Sequence, residues 1–164
     1  MEFVCEAFGD GLDASAFDSG QLILDDWLRT SARDSDGRNL TRTYVWHRGD
    51  GRVLGYYTLM PYLIERDVLN RKQARGLADR IPCYLLGRIA LHRDLHGRGL
   101  GSQLLASALS RAAIGSRELG GRFVVVDAID DRAASFYRHH GFEAIGADDR
   151  RLVLAIKALD PYLP

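Results

Sequence analysis

Three glycines recur at alternate positions past the middle of the chain, at Gly97, Gly99 and Gly101. An apolar run precedes them and a helical pattern follows, so we expect this turn to join a strand to a helix. Glycines let the backbone approach a ligand closely, and the free N–H groups at a helix start then face an anion. The spacing therefore predicts an anion cradle. It is not a P-loop, because no Gly-Lys-Ser/Thr follows, and Ser102 and the lack of a correctly spaced third glycine make it a poor dinucleotide fingerprint.

The elements on either side must hold this turn in place. Residues 83–91 form a nearly continuous apolar run, which is typical of a central strand covered on both faces. Apolar residues then recur at helical spacing from 100 to about 119, and Gly120-Gly121 stops the helix. Beyond it we predict a strand at 122–128, a helix at 132–140 and strands at 143–145 and 152–158.

The first half of the chain also predicts mixed helix and strand, which places the fold in the α+β or α/β class. We expect Pro61 to end the second strand of a hairpin, and the basic stretch before the central strand to be a short helix or an ordered loop. The predicted elements are a strand at 3–7, a helix at 21–31, a loop at 31–39, hairpin strands at 43–47 and 53–60, and the basic stretch at 65–80.

Composition limits the class of protein. The 164 residues, 46% of them hydrophobic, fit one globular domain and exclude an intrinsically disordered chain. No apolar run approaches the ~18 residues of a membrane span. The N-terminus lacks the basic-then-apolar order of a signal peptide, so we expect a cytoplasmic protein. Cys5 and Cys83 form no disulfide or metal pattern, and no metal site is expected.

The net charge of zero conceals a strong segregation of charge. Residues 1–36 hold nine acids and two bases, a net charge of −7, whereas residues 37–100 hold twelve bases and five acids, a net charge of +7. Residues 101–164 hold eight of each. The composition excludes a uniformly basic protein, but a bipolar chain of this kind can still bind RNA on one face.

Several motifs together resemble the GNAT family of acetyl-CoA-dependent N-acetyltransferases. They are Leu86-Gly87-Arg88-Ile89-Ala90-Leu91, Arg98-Gly99-Leu100-Gly101, Asp130-Asp131-Arg132-Ala133-Ala134-Ser135-Phe136-Tyr137 and Gly141-Phe142. The resemblance implies one GNAT domain over residues 1–164, with a mixed, mostly antiparallel sheet flanked by helices, and a cofactor-binding core at about 83–145. The residues that it implies for acetyl-CoA binding are Ile89, Ala90, Leu91, His96, Gly97, Arg98, Gly99, Gly101, Ser102, Asp130, Ala133 and Phe136. His96 departs from the family's Gln or Arg, and Asp130 departs from its Asn.

The resemblance also implies roles in acetyl transfer from a thioester to an amine. The backbone of Ile89-Ala90-Leu91 would bind the pantetheine and offer an N–H to the oxyanion, while the glycine turn and Arg98 hold the pyrophosphate. Tyr137 stands where GNAT enzymes commonly place a tyrosine beside the sulfur, so we expect it to be the general acid. An α-amine titrates near ~8 and needs no strong base. Spacing singles out none of the candidate bases, which are His92, His96, His139 and His140.

Further motifs look like the GNAT toxins of bacterial toxin–antitoxin pairs, which acetylate the α-amino group of aminoacyl-tRNA and so block translation. They are Phe17-Asp18-Ser19-Gly20, Asp26-Trp27-Leu28, Thr43-Tyr44-Val45, Gly55-Tyr56-Tyr57-Thr58-Leu59, Ile81-Pro82 and Ala134-Ser135-Phe136-Tyr137. This resemblance implies an aminoacyl-tRNA substrate, a small ribbon-helix-helix antitoxin as partner, and a homodimer.

Candidate tRNA contacts lie in the basic stretch and on the central strand, although the basic stretch fits an ordinary solvated face equally well. They are Arg71, Lys72, Arg75, Arg80 and Arg88. Arg88 lies in an apolar strand, where it should pair with a carboxylate or face a cleft. Of Tyr56 and Tyr57, we expect one in the core and the other beside the acceptor. Trp27 belongs in the core or on a partner-facing surface.

Two other functions remain open. The chain could acetylate a small amine or a protein N-terminus, or it could be a non-catalytic module that binds acyl-CoA or a partner. The glycine turn and Tyr137 argue against the module, and the basic stretch favours tRNA over a small amine.

Overall fold

The computed structural model describes residues 2–162. Its strands are β1 (Val4–Ala7), β2 (Arg42–His47), β3 (Gly55–Glu65), β4 (Arg80–Leu91), β5 (Phe123–Asp127), β6 (Glu143–Ile145) and β7 (Asp148–Ala155). Its α-helices are α1 (Leu22–Thr30), α2 (Ala32–Gly37), α3 (Arg71–Ala74), α4 (Leu100–Leu119) and α5 (Asp131–His139).

The strands form one sheet in the order β1-β2-β3-β4-β5-β7-β6. β4 pairs with β5 in parallel, whereas the pairs β1–β2, β2–β3, β5–β7 and β6–β7 are antiparallel. This mixed, mostly antiparallel sheet with flanking helices confirms the predicted fold class. The parallel register covers Cys83–Leu86, and the later residues of β4 lie outside it.

The chain folds into two compact units. The first contains the residues up to Met60 together with Gly87–Ala108, and its core is built on buried side chains such as Phe17, Val45 and Tyr56. The second contains Pro61–Leu86 and the residues from Leu109 onward. Its core includes Ile81, Cys83, Phe123, Val125 and Val153, which come from the central and neighbouring strands.

Three predicted boundaries are wrong. The last strand, predicted at 152–158, is β7 at Asp148–Ala155: its first residues are exposed and polar and so give no apolar signal, and residues 156–158 belong to a 3-10 turn. Pro61 does not end its strand, since β3 continues to Glu65. The pairing of β3 with β2 ends at Leu59, so that ladder requires no N–H from the proline. Residues 31–39 are not simply a loop, because α2 occupies Ala32–Gly37; this short helix has only Ala32 buried and therefore lacks the apolar repeat that would reveal it.

The basic stretch is both helix and loop. A 3-10 turn at Arg66–Val68 precedes α3, which is capped by reciprocal hydrogen bonds between Asn70 and Gln73. Among the helices of residues 2–162, none is long and apolar enough to cross a membrane.

Candidate active site

The glycine turn joins the end of β4 to the start of α4, as predicted. Gly97 and Gly99 adopt φ angles of 78° and 73°, which are favourable for glycine and costly for other residues. A Cβ atom built on Gly97, Gly99 or Gly101 would meet no atom within 4 Å. The turn therefore combines left-handed backbone with open space at the Cβ position of each glycine, at the start of a 20-residue helix. That arrangement suits an anion held by backbone donors.

Two histidines brace the turn from within. His96 Nε2 lies 2.8 Å from the carbonyl oxygen of Leu91, which accepts a hydrogen bond when Nε2 carries the proton. His92 is buried, and its Nδ1 accepts from the N–H of Asp94 at 3.2 Å, capping the 3-10 turn at Arg93–Leu95. Both rings therefore have structural contacts, and for His96 these differ from the pyrophosphate contact that the family's Gln or Arg implies.

The remaining predicted cofactor residues of the first unit lie next to the turn. Ala90 and Leu91 are buried and Ile89 is half-buried at the end of β4, so their peptide groups rather than their side chains are the groups on offer. Arg98 is exposed between two glycines of the turn. It forms no ion pair with any side chain that the structure describes, and its guanidinium is therefore available to an anion.

Arg88 has an aromatic partner instead of the expected carboxylate. Its guanidinium carbon lies 3.9 Å from the ring centroid of Trp27, whose ring is stacked on Tyr56 at 6.3 Å. Among the described residues, Arg88 forms no ion pair, and burial lowers its pKa. Of the two expected surroundings, the carboxylate is not found, because a cation–π contact compensates the half-buried charge, and a position facing a cleft stays a prediction. Trp27 is half-buried and packs against the first unit's core.

Neither Tyr56 nor Tyr57 of β3 is exposed. Tyr56 and Tyr57 both have 0% exposure. The Tyr56 hydroxyl donates to the carbonyl oxygen of Leu24 at 2.6 Å, and the Tyr57 hydroxyl lies 3.3 Å from Ser107 Oγ. The expectation that one of them lines an acceptor site is wrong, because both side chains are taken up by internal packing on opposite faces of the strand.

In the second unit, the ring of Tyr137 is buried on α5, with 6% exposure. Phe136 and Phe142 contact it, with ring centroids 5.5 Å and 5.3 Å away. Its hydroxyl forms no hydrogen bond with a described residue, and no fully buried polar side-chain atom among those residues lacks a partner. The hydroxyl oxygen therefore keeps some access to solvent. Burial raises the pKa of Tyr137, so the phenol stays protonated at neutral pH and can donate a proton.

The other predicted residues of this region lie at both ends of α5. Asp130 is the N-cap, and its carboxylate accepts from the N–H of Ala133 at 2.8 Å. Phe136 also contacts His140, with ring centroids 4.9 Å apart, and burial together with neighbouring His139 lowers the pKa of His140. One oxygen of Asp130 is thus already used in capping, which limits what its side chain offers a ligand.

The candidate tRNA contacts fall in both units. Arg88 belongs to the first unit, and the candidates of the basic stretch belong to the second. Arg71, Lys72 and Arg75 are exposed on or just after α3. Arg80 is exposed too, and its Nε lies 3.7 Å from Glu65 in an ion pair.

Comparison with known proteins identifies the family. The model of the acetyltransferase (GNAT) domain matches residues 39–144. The chain belongs to the GNAT acetyltransferase family. A tRNA-acetylating toxin of Mycobacterium tuberculosis (strain ATCC 25618 / H37Rv) is 36% identical over 148 residues, which cover 90% of this chain and 89% of the relative.

Solved structures of similar GNAT proteins share the whole fold. AtaT complexed with acetyl-methionyl-tRNAfMet is 28% identical, with a TM-score of 0.91 over 98% of this chain and 99% of that one. A mutant AtaT toxin bound to the C-terminus of the antitoxin AtaR and acetyl-CoA is also 28% identical, with a TM-score of 0.84 over 98% and 97% of the two chains. The resemblance inferred from the motifs is therefore confirmed.

Sequence reasoning about this GNAT chain missed the contact between Arg88 and Trp27. The two residues belong to α1 and β4, which are far apart along the chain, so no spacing rule connects them. It also gave no role to Arg117, Arg122 and Lys157, which border one pocket in the second unit. These cations come from three separate segments, and no local pattern unites them.

Proposed function

We propose that this GNAT acetyltransferase is the toxin of a toxin–antitoxin pair and acetylates the α-amino group of aminoacyl-tRNA, so that translation stops. The strongest support is the 36% identity, over 90% of the chain, to a protein named for that activity. The AtaT complex with acetyl-methionyl-tRNAfMet, similar over 98% of this chain, adds support from a product-bound relative.

The glycine turn fits the pyrophosphate of acetyl-CoA. Its positive-φ glycines, the free space at each Cβ position and the unpaired Arg98 are the properties that a close-lying diphosphate requires. Within the cofactor-binding core at about 83–145, the peptide groups of Ile89, Ala90 and Leu91 would bind the pantetheine. Acetyl-CoA supplies the acetyl group as a thioester. Ser102, Ala133 and Phe136 would complete the contacts, whereas His96 and Asp130 contribute mainly by holding the turn and the helix start.

Tyr137 is the general acid in this proposal. Its buried ring is held by two phenylalanines, and its hydroxyl remains free to give a proton to the departing thiolate. The phenol is protonated at neutral pH. Burial raises its pKa and makes it a weaker acid, so the proton moves only as negative charge develops on the sulfur. The α-amine of an aminoacyl ester is a weaker base than a lysine amine and is substantially neutral near pH 7, so deprotonation needs little help.

The decisive experiment supplies the purified protein with acetyl-CoA and a pool of charged tRNAs and detects acetylated aminoacyl-adenosine by mass spectrometry. We expect acetylation of one or a few aminoacyl-tRNAs. Turnover of free amines with no acetylated tRNA would instead favour a small-molecule GNAT, and no turnover of any amine would favour a binding module.

Tyr137→Phe tests the general acid. We expect kcat to fall by about 10²–10⁴-fold, while the affinity for acetyl-CoA, measured by calorimetry, stays the same. Tyr84→Phe is the matched control, since it removes a tyrosine hydroxyl from the same unit and should leave kcat unchanged. An unaltered kcat in Tyr137→Phe would assign the role of acid to another group.

We further propose a small ribbon-helix-helix antitoxin as partner, a homodimer in solution and action in the cytoplasm, where charged tRNA is found. Growth arrest on expression of this chain alone, relieved by co-expression of the neighbouring gene, is the expected result. Light scattering measures the oligomeric state directly. Growth that is unaffected by expression of an active enzyme would argue against the toxin role.

A further inference from the structure

A basic pocket lies at the end of α4, in the second unit. It encloses about 260 Å³ and is lined by Arg117 near the helix end, Arg122 just before β5 and Lys157 after β7, with Ser116 and Gly121 beside them. None of the residues that line it is acidic. We call these three cations the basic triad.

The turn that carries two members of the basic triad is tightly fixed. The Ser116 hydroxyl donates to the carbonyl oxygen of Gly121 at 2.7 Å, and the Tyr84 hydroxyl donates to that of Gly120 at 2.6 Å. The backbone of Arg122 is held on both sides, as its N–H donates to Pro82 at 2.8 Å and its carbonyl oxygen accepts from Ile156 at 3.0 Å. The cations therefore extend from a rigid frame, which lowers the ordering cost of binding a ligand.

The basic triad also lacks counterions. None of its members forms an ion pair with a described side chain, whereas Arg80 pairs with Glu65 and Arg151 pairs with Asp127 elsewhere in the same unit. Three like charges around one pocket repel each other, and an anion placed among them removes that repulsion. Guanidinium groups moreover match the oxygens of a phosphate with paired hydrogen bonds.

A second pocket extends this surface toward a predicted tRNA contact. It encloses about 270 Å³ and is bordered by Arg122 and Gly121 on one side and by Arg80 at the start of β4 on the other. Arg122 is thus shared by both pockets. Arg122 therefore places Arg80 beside the same surface as the basic triad, although the rest of the second pocket is lined by the mainly apolar residues Leu77, Ala78, Ile81 and Pro82.

We propose that the basic triad binds backbone phosphates of the tRNA substrate. This inference rests on the proposed function, because an aminoacyl-tRNA is the polyanion that such an enzyme must hold. The triad reads no base and no amino acid; it adds affinity and orients the RNA. It adds a contact region that the basic stretch at 65–80 did not include.

The test measures binding of uncharged tRNA, so that it does not depend on acetylation. The double variant Arg117→Gln with Lys157→Gln is called the pocket pair. It is compared with a control pair, the double variant Arg38→Gln with Arg52→Gln, which removes two exposed cations of the first unit. Affinity is measured by fluorescence anisotropy from 50 to 200 mM salt. We expect the pocket pair to make the slope of log K against log salt shallower by about 1–2 and to weaken binding about tenfold at low salt.

Steady-state kinetics with charged tRNA complete the test. The pocket pair should raise the KM for charged tRNA about tenfold and leave kcat and the KM for acetyl-CoA unchanged.

Equal losses of tRNA affinity in the pocket pair and the control pair would reveal an effect of net charge and overturn the proposal. So would unchanged tRNA binding, including the case in which the pocket pair weakens binding of an antitoxin instead. If the pocket pair loses tRNA binding but the unmodified protein acetylates no tRNA, the basic triad binds tRNA as proposed and the proposed function is wrong. Arg122→Lys, which retains the charge, should keep most of the affinity and guards against a folding artefact.

Discussion

The two ends of α4 carry the same kind of residue in opposite surroundings. Before the helix, Gly97 and Gly99 have φ angles of 78° and 73°, and a Cβ on either would meet no atom within 4 Å. After the helix, Gly121 has a φ of 132°, and a Cβ there would lie 2.5 Å from Cε2 of Tyr84. Left-handed backbone alone therefore does not distinguish a ligand site from a packed turn. Open space at one glycine does not distinguish them either, since Gly120 in the packed turn has a φ of 85° and no atom within 4 Å of its Cβ position. The candidate binding turn differs in being open at all three of its glycines, at the start of a long helix.

The same contrast holds for the hydrogen bonds of the two turns. At the C-terminal end, the carbonyl oxygens of Gly120 and Gly121 accept from Tyr84 and Ser116, so protein side chains satisfy the turn. At the N-terminal end, no atom lies within 4 Å of the Cβ positions of Gly97, Gly99 and Gly101, so a ligand can approach the backbone of the helix start. One glycine turn is thus satisfied by the protein itself, whereas the other is the proposed site for an anion.

The largest effect is expected when a methyl group is added to the packed turn, in Gly121→Ala, which should lose stability. The new methyl group overlaps the ring of Tyr84, and a φ of 132° is strained for any L side chain. We expect the free energy of unfolding to fall by about 3 kcal/mol, as for overpacking combined with backbone strain. Urea unfolding followed by circular dichroism measures it.

The background Tyr84→Ala separates the two causes. There the overlap is gone, so Gly121→Ala should cost only the strain, about 1–2 kcal/mol. Equal costs in both backgrounds would mean that Tyr84 does not fill the space beside Gly121, and the contrast between the two turns would fail.

A smaller and opposite effect is expected for Gly101→Ala at the open end. Gly101 has no positive φ and lies in the first turn of α4, so alanine should raise the free energy of unfolding by about 0.5 kcal/mol. The methyl group would nevertheless occupy open space in the glycine turn. We expect the KM for acetyl-CoA to rise about tenfold, which corresponds to about 1.4 kcal/mol.

Gly115→Ala in the same helix is the matched control for Gly101→Ala. Its Cβ would lie 3.2 Å from the hydroxyl oxygen of Tyr84, away from the glycine turn, so it should alter stability without changing the KM for acetyl-CoA. A Gly101→Ala enzyme with unchanged KM would show that the open space does not receive the cofactor.

The sequence was sufficient wherever a local signal exists. The bounds of α4 agree with the prediction from 100 to about 119, because apolar spacing defines its buried face and two glycines end it. The glycine turn was found for the same reason. In contrast, α2 was missed, since a short polar helix has no periodic apolar face. The end of β3 was placed too early, at Pro61, because the ladder with β2 does not need an N–H at that position.

Contacts between side chains of different elements could not be predicted from the spacing of residues. The contact of Arg88 with Trp27 on α1 depends on how the two elements pack, whereas the contact of His96 with the carbonyl oxygen of Leu91, five residues earlier, depends on the path of the turn. The difference between Gly99 and Gly121 belongs to the same class. Both are glycines with positive φ beside α4, and the sequence does not show that only Gly121 of the two lies against Tyr84.

The smallest predicted effect concerns Tyr84→Phe, which leaves the ring in place and removes the hydrogen bond to Gly120. Because that bond is partly exposed, we expect the free energy of unfolding to fall by roughly 0.5–1.5 kcal/mol, measured in urea. The KM for acetyl-CoA should not change, since the ring still supports the closed turn and the open turn is untouched. Tyr62→Phe, which removes a hydroxyl that accepts from Arg151 at 2.8 Å, should cost a similar amount and serves as the control for losing a tyrosine hydroxyl. A raised KM in Tyr84→Phe but not in Tyr62→Phe would mean that the two ends of α4 are coupled, so that the packed turn also sets the position of the binding turn.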